Sequence, residues 1–239
     1  MGSTPSVPPG PPGEVHCYAR EAVTEIPIPT PGGDVSASVH GEGRSVLVLG
    51  HGAGGTRRQR ALVRLAEALA ATRRRVVLYN FLYTERGRGR PDPPDVLEAT
   101  TRAVGAHARA ALGAERLVLG GRSMGGRIAS QVVAAGAPAH GLVFLAYPLH
   151  PPGQPDRLRD RHLPLIAAPM LFVQGTRDTF AQPDLLDAVV ARLGSGARLH
   201  RVEGGDHSFK VLKRSGRTAE EVDAEIVGAI RGWLDEHGL

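Results

Sequence analysis

Cysteine is almost absent, with Cys17 the only one in 239 residues. A lone thiol closes no internal disulfide, so nothing marks an oxidising compartment and no cross-link stabilises the fold. Long apolar runs are missing too. No stretch approaches the roughly 20 residues that span a bilayer, and the amino terminus has no basic region followed by an apolar core. The expectation is a soluble, cytoplasmic protein with no membrane association. Met1-Gly2 with Ser6 formally fits a myristoylation pattern, but Pro5 lies inside it and no polybasic patch or second acyl site accompanies it. Aromatic residues are scarce at 4%, and lysine is limited to Lys210 and Lys213. Arginine therefore carries almost all of the basic charge behind the formal +5. Its densest clusters are Arg57, Arg58 and Arg60, then Arg73 to Arg75, then Arg86, Arg88 and Arg90. Arginine and alanine are abundant throughout and aromatics for base stacking are few, so no nucleic-acid partner is read from these clusters. The histidines include no pair spaced like metal ligands on a common element, and neither metal nor cofactor is implied.

At 41% hydrophobic, the chain is long enough to bury a substantial core without dividing. Residues 1–13 are mostly Pro, Gly and Ser and are expected to form a disordered tail. One domain is expected over 14–239, with folded structure beginning near Val15. Two early strands are predicted at Ala22 to Pro27 and Val35 to Val39. Buried strands follow at Val46 to Leu49, Val76 to Tyr79, Leu117 to Leu119, Leu142 to Leu145 and Leu171 to Val173, with a more polar one at Arg198 to Val202. Helical stripes join Leu62, Leu65, Ala66 and Leu69; Leu186, Val189, Val190 and Leu193; and Val222, Ile226, Ala229, Ile230 and Trp233. Alternation of this kind implies a mostly parallel sheet covered on both faces.

Gly121-Arg122-Ser123-Met124-Gly125 follows the strand at Leu117 and opens a small-residue helical stretch. A strand-to-helix turn this tight strains its central residue and presents the Ser123 hydroxyl clear of the backbone, while side chains at the flanking glycines would collide with neighbouring elements. A nucleophilic serine needs a base and an orienting acid, in the chain order Ser, Asp or Glu, His for this turn type. Asp178 follows the strand at Leu171, and His207 lies on the last loop before the terminal helix. Asp206 is a rival acid, but a residue adjacent to His207 generally points elsewhere, so Asp178 is preferred.

Gly50-His51-Gly52-Ala53-Gly54-Gly55 directly follows the strand at Val46 and admits two chemistries. Gly50, Gly52 and Gly55 match a dinucleotide fingerprint, which also needs an acidic residue at the end of the next strand. That strand ends in Tyr79-Asn80-Phe81 with no carboxylate, although nearby arginines would suit a phosphorylated ribose. Read instead as an oxyanion loop, the segment offers the Ala53 N–H, which would act with the Met124 N–H on the oxygen of a tetrahedral intermediate.

These segments, with Tyr147-Pro148-Leu149-His150-Pro151-Pro152-Gly153 and Gly204-Gly205-Asp206-His207, resemble the α/β-hydrolase superfamily from about Val15 to Leu239. The resemblance narrows to the small dienelactone-hydrolase-like branch. Within it, the chain looks like the group of the testis-expressed hydrolase-like protein and the hydrolase-like region of a non-specific-lethal chromatin complex subunit. The resemblance implies an α/β-hydrolase fold, with a mostly parallel central sheet of about eight strands and helices on both faces. It assigns Ser123, Asp178 and His207 to a triad, and Ala53 and Met124 to the oxyanion hole. Ser123 stands where dienelactone hydrolases proper use cysteine, so their lactone substrate is not carried over. The branch also contains members kept as scaffolds.

Between Leu145 and Pro169 there is too little chain for a large lid domain, so the site is expected to be open. Arg122 either attracts an acidic acyl group or braces neighbouring loops, and bracing is the preferred reading. Tyr83, His150 and Phe209 are candidate pocket residues that packing would explain equally well. The primary expectation is a cofactor-independent serine hydrolase acting through an acyl-enzyme on small-molecule esters or thioesters of small to medium acyl groups. The alternatives are a non-catalytic interaction scaffold and, behind it, a dinucleotide-binding enzyme.

Overall fold

The computed structural model describes residues 23–239. The expected tail, the start near Val15, Cys17 and the first residue of the predicted strand at Ala22 lie outside the described residues. The remaining chain forms one eight-stranded sheet. Its strands in chain order are β1 (Thr24–Ile28), β2 (Val35–His40), β3 (Ser45–Gly50), β4 (Arg75–Tyr79), β5 (Arg116–Arg122), β6 (Gly141–Leu145), β7 (Met170–Gly175) and β8 (Ala197–Val202). Their order across the sheet is β1-β2-β4-β3-β5-β6-β7-β8. All neighbours from β4 to β8 pair in parallel, and only the β1–β2 and β2–β4 pairs are antiparallel.

The helices are α1 (Arg60–Ala70), α2 (Leu82–Glu85), α3 (Pro94–Ala110), α4 (Met124–Ala134), α5 (Pro183–Leu193) and α6 (Ala219–Glu236). Because both sheet faces are covered, the central strands read as unbroken apolar runs, yet alternate residues serve different cores. Val46 and Val48 pack with Leu117, Leu119 and the inner faces of α3 and α4. Leu47 and Leu49 face the other way, into the side chains of α1 and α6 that include Leu62, Leu69, Ile230 and Trp233. A third cluster continues the α3–α4 face outward, where Phe144 and Phe172 meet Leu186 and Val189 of α5. Each fully buried side chain of this size contributes roughly 1.5–3 kcal/mol.

No apolar stripe in the sequence marks α3. Its core-facing residues are Leu97, Thr100, Thr101, Val104, Gly105 and Ala108, four of the six polar or small. The threonines are buried at little cost because each hydroxyl donates to the carbonyl four residues back, Thr100 to Val96 and Thr101 to Leu97. Gly105 faces Leu119, and a Cβ there would make an ordinary contact at 3.5 Å. At the other end of the chain, a reciprocal capping box starts α6 sharply. Glu221 N–H donates to Thr218 Oγ1 at 3.1 Å and Thr218 N–H to Glu221 Oε2 at 2.8 Å.

The β6–β7 connection spans 146–169 and contains a single short 3₁₀ turn at Leu163–Leu165, so no lid domain stands over the sheet. No helix among the described residues is long and apolar enough to cross a membrane.

Burial lowers His40, His51 and His162 below the ordinary histidine value of 6.5. The folded state holds these rings neutral at pH values where the unfolded chain takes up protons. Their contribution is therefore complete above about pH 6.5 and is lost as the pH falls through that value toward the lowered folded-state values. The urea midpoint should decrease from pH 7.5 to 5.5, and the double substitution His40→Gln, His162→Gln should flatten that decrease. An identical slope in the double variant would refute this origin.

Candidate active site

The loops at the carboxyl ends of the parallel strands bring the sequence-predicted residues together. Ser123 directly follows β5 at the N-cap position of α4, and its backbone lies at φ 49°, ψ −112°. A non-glycine residue there is strained and is held only by its surroundings. Its N–H donates to Leu145 O of the neighbouring strand at 2.8 Å, and its carbonyl accepts from Arg127 N–H at 3.1 Å.

Three glycines make this turn fit. Gly121 lies at φ +146°, and a Cβ on it would stand 2.2 Å from Gly50 O. A Cβ on Gly125 would stand 2.3 Å from the same oxygen. Gly50 in turn has room for no side chain, with Tyr79 Oη at 2.9 Å and Gly125 Cα at 3.2 Å from its would-be Cβ. Two backbones and a helix start therefore meet without side chains, which sets the loop after β3 directly against the serine. Gly52 of that loop would carry its Cβ 3.6 Å from Ser123 Cβ.

His51 braces the loop from beneath. It is fully buried; its Nδ1 donates to Gly52 O at 2.8 Å, and its Nε2 accepts from Phe81 N–H at 3.2 Å. This pattern requires a neutral ring, and burial keeps it so. Asn80 Oδ1 accepts from Arg57 N–H at 2.8 Å, and Tyr83 Oη accepts from Gly54 N–H at 3.3 Å. Ala53, at the exposed tip, donates its N–H to no group among the described residues. The Met124 N–H opens α4 and is one of the amides that a helix start leaves unpaired. Both amides are free to donate to a bound oxygen. Helix α1 starts at Arg60, five residues beyond Gly55, so no helix N-terminus stands at the glycines where a pyrophosphate would need it. The dinucleotide alternative loses its phosphate cradle.

His207 Nε2 accepts from the Ser123 hydroxyl at 2.9 Å, while its Nδ1 donates to Asp178 Oδ2 at 2.7 Å. The carboxylate can only accept, so the proton on Nδ1 is assigned by its partner. The Asp178 side chain is wholly buried and that of His207 is 23% exposed. Their loops are joined backbone to backbone. A Cβ on Gly175, the last residue of β7, would stand 2.3 Å from Gly205 O, and Arg177 N–H donates to that oxygen at 2.8 Å. Asp206 points away from the His207 ring. Its Oδ1 accepts from Ser208 N–H at 2.7 Å and Lys210 N–H at 2.9 Å, shaping the turn instead.

Arg122 is committed to the same loop. Its guanidinium donates to His207 O at 3.2 Å and Ser208 Oγ at 2.9 Å. Burial lowers its pKa, while Asp206 and Asp178 oppose the shift, and the group stays charged. Tyr83 and His150 are each 1% exposed. His150 spends both ring nitrogens on backbone, donating from Nδ1 to Pro151 O at 2.9 Å and accepting at Nε2 from Gln182 N–H at 3.1 Å. Phe209 sits at φ +60° beside the core formed with α1 and α6. Two side chains at the site carry no sequence motif. The Phe180 ring stacks on His207 with centroids 4.3 Å apart, and Gln174 donates to Asp178. Among the described residues, no three His, Cys, Asp or Glu side chains cluster as a metal site.

The alpha/beta hydrolase domain family model matches residues 43–235, and the chain belongs to that family. Among solved structures, a dienelactone hydrolase from Anabaena variabilis superposes with a TM-score of 0.72 at 15% identity, over 91% of this chain and 99% of that one. A serine hydrolase without a lid from Xanthomonas campestris gives 0.70 at 21%, over 90% and 96%. An alpha-beta serine hydrolase homologue from Coxiella burnetii gives 0.68 at 22%, over 87% and 98%. These likenesses are of fold.

The glycine contact predicts opposite outcomes for one substitution at two places. Gly125→Ala should cost at least about 1–3 kcal/mol, because backbone must move. Gly228→Ala, on an exposed position of α6 with nothing within 4 Å of the new Cβ, should stabilise by about 0.5–1 kcal/mol. Urea unfolding of both variants measures the contrast, and equal effects would exclude the packing account.

Proposed function

We propose that the protein is a serine hydrolase cleaving carboxylic esters or thioesters of small to medium acyl groups through an acyl-enzyme. The single observation that supports this most is the continuous relay from the Ser123 hydroxyl through His207 to buried Asp178, at 2.9 and 2.7 Å. In this reading Ser123 Oγ attacks the substrate carbonyl carbon while His207 Nε2 takes the hydroxyl proton. The carbonyl oxygen becomes an oxyanion held by the Ala53 and Met124 amides, each worth on the order of 3 kcal/mol in comparable sites. The protonated imidazole then gives its proton to the departing alcohol or thiol as the carbon–oxygen or carbon–sulfur bond breaks. Water repeats the cycle on the acyl-enzyme: His207 takes one of its protons, hydroxide adds to the carbonyl, and Ser123 leaves with the proton returned. Asp178 fixes the Nδ1–H tautomer and offsets the charge of the imidazolium.

The open site over a short β6–β7 connection suits acyl groups that need no lid. Arg122 works through the His207 loop in this reading, and Tyr83 and His150 act as supports behind the site. The narrower kinship with the testis-expressed and chromatin-complex group rests on the quoted motifs and belongs to the same proposal. Its scaffold members supply the competing outcome, a fold that binds a partner without turning over ester.

Wild-type protein should hydrolyse a short-chain nitrophenyl ester and react with a fluorophosphonate probe. Ser123→Ala should abolish labelling and reduce kcat/KM by at least about 10³-fold. Wild type reacting no faster than Ser123→Ala would overturn the hydrolase reading.

A further inference from the structure

Asp178 is gripped by more donors than His207 alone supplies. Gln174, on β7, is only 3% exposed. Its side-chain amide donates to Asp178 Oδ2 over 2.5 Å, the same oxygen that accepts from His207 Nδ1 at 2.7 Å. The other carboxylate oxygen accepts from Phe180 N–H at 2.8 Å. Three donors therefore fix both the rotamer of the carboxylate and which of its oxygens faces the imidazole.

The amide orientation of Gln174 follows from its partner. Turned over, it would set a carbonyl against a carboxylate, two acceptors with no proton between them. With Nε2 on Asp178, Gln174 Oε1 is left buried without a partner among the described residues. An orphaned buried carbonyl costs stability, and an apolar side chain of similar size would avoid that cost. Packing alone therefore does not account for an amide at this position.

We infer that Gln174 is a positioning residue, which clamps Asp178 so that Oδ2 holds the His207 Nδ1–H in line with Ser123. This inference rests on the triad reading above. Two effects of the second donor compete. It draws charge from the oxygen that His207 uses, weakening that bond, and it prevents the carboxylate from rotating away. Misplacement of reacting groups by about 1 Å costs on the order of 10²-fold, whereas sharing an acceptor only softens one hydrogen bond. Positioning dominates.

Two variants test the clamp. Gln174→Leu should lower kcat about tenfold with KM unchanged, while the unfolding midpoint changes little, because losing the donor to buried Asp178 offsets removal of the orphaned carbonyl. Gln174→Glu carries its own switch. Protonated, its carboxyl donates to Asp178 as the amide does; ionised, it repels the carboxylate. Its kcat should approach wild type at the acidic end of the profile and fall as pH rises, where wild type holds a plateau. In the resting protein, the downfield proton resonance of His207 Nδ1 should shift or broaden in Gln174→Leu. Equal kcat for wild type and Gln174→Leu, a Gln174→Glu profile superimposable on wild type, or an unmoved Nδ1 resonance would each overturn the inference. The resonance needs no turnover, so it decides the clamp even if the ester assay fails for wild type and the hydrolase reading falls.

Discussion

A contact without side chains governs the site. Gly50 at the end of β3, with Gly121 and Gly125 on either side of the serine, lets strand, turn and helix start approach to distances that a single Cβ would forbid. The strained Ser123 backbone, the free amide at the start of α4 and the loop bearing Ala53 all take their positions from it. A second contact of the same kind, Gly175 against Gly205, joins the loops of Asp178 and His207. The effect of both contacts is geometric, since a close-packed interior transmits any added atom as displacement of its neighbours.

Strain and charge concentrate where these contacts meet. Of the four non-glycine residues at positive φ among the described residues, Ser123, Ala146 and Phe209 lie on the loops at the carboxyl ends of strands, whereas Arg73 does not. Each is pinned by backbone bonds: Ser123 to Leu145, Ala146 to Val173 and Phe209 to Asp206. The buried polar groups divide by role. His51 stays neutral so that one ring nitrogen accepts and the other donates, and partly buried Arg122 stays charged with its Nη2 donating twice to the His207 loop. Polar groups that are this well matched hold loops in place at positions where apolar packing alone would leave them free to shift.

Much of the fold was legible because the central strands are buried on both faces and so appear as continuous apolar runs. The stripes of α1, α5 and α6 were legible because leucine, isoleucine and valine fall at helical spacing. Helix α3 was not, since Thr100, Thr101, Gly105 and Ala108 face its core and read as a polar or small-residue segment. At the site, strand ends and chain order gave Ser123, Asp178 and His207 as candidates. Gln174 and Phe180 could not be singled out in the same way. A glutamine closing an apolar strand and a phenylalanine in a loop carry no periodic signal, and their relevance lies wholly in what they touch.

The sequence by itself determined the succession of strands, the mostly parallel sheet and the loops that carry each candidate group, because periodicity and turn chemistry are local properties of a chain. The tertiary structure alone decided which groups meet. It set Asp178 rather than Asp206 against His207, turned Arg122 toward the His207 loop, and placed Gln174 on the carboxylate oxygen that faces the imidazole. Gln174 and Asp178 are only four positions apart, but the arrivals of His207 and of its loop depend on approaches between residues about 30 to 85 positions apart, and no local pattern encodes the distance at which two such segments come to rest.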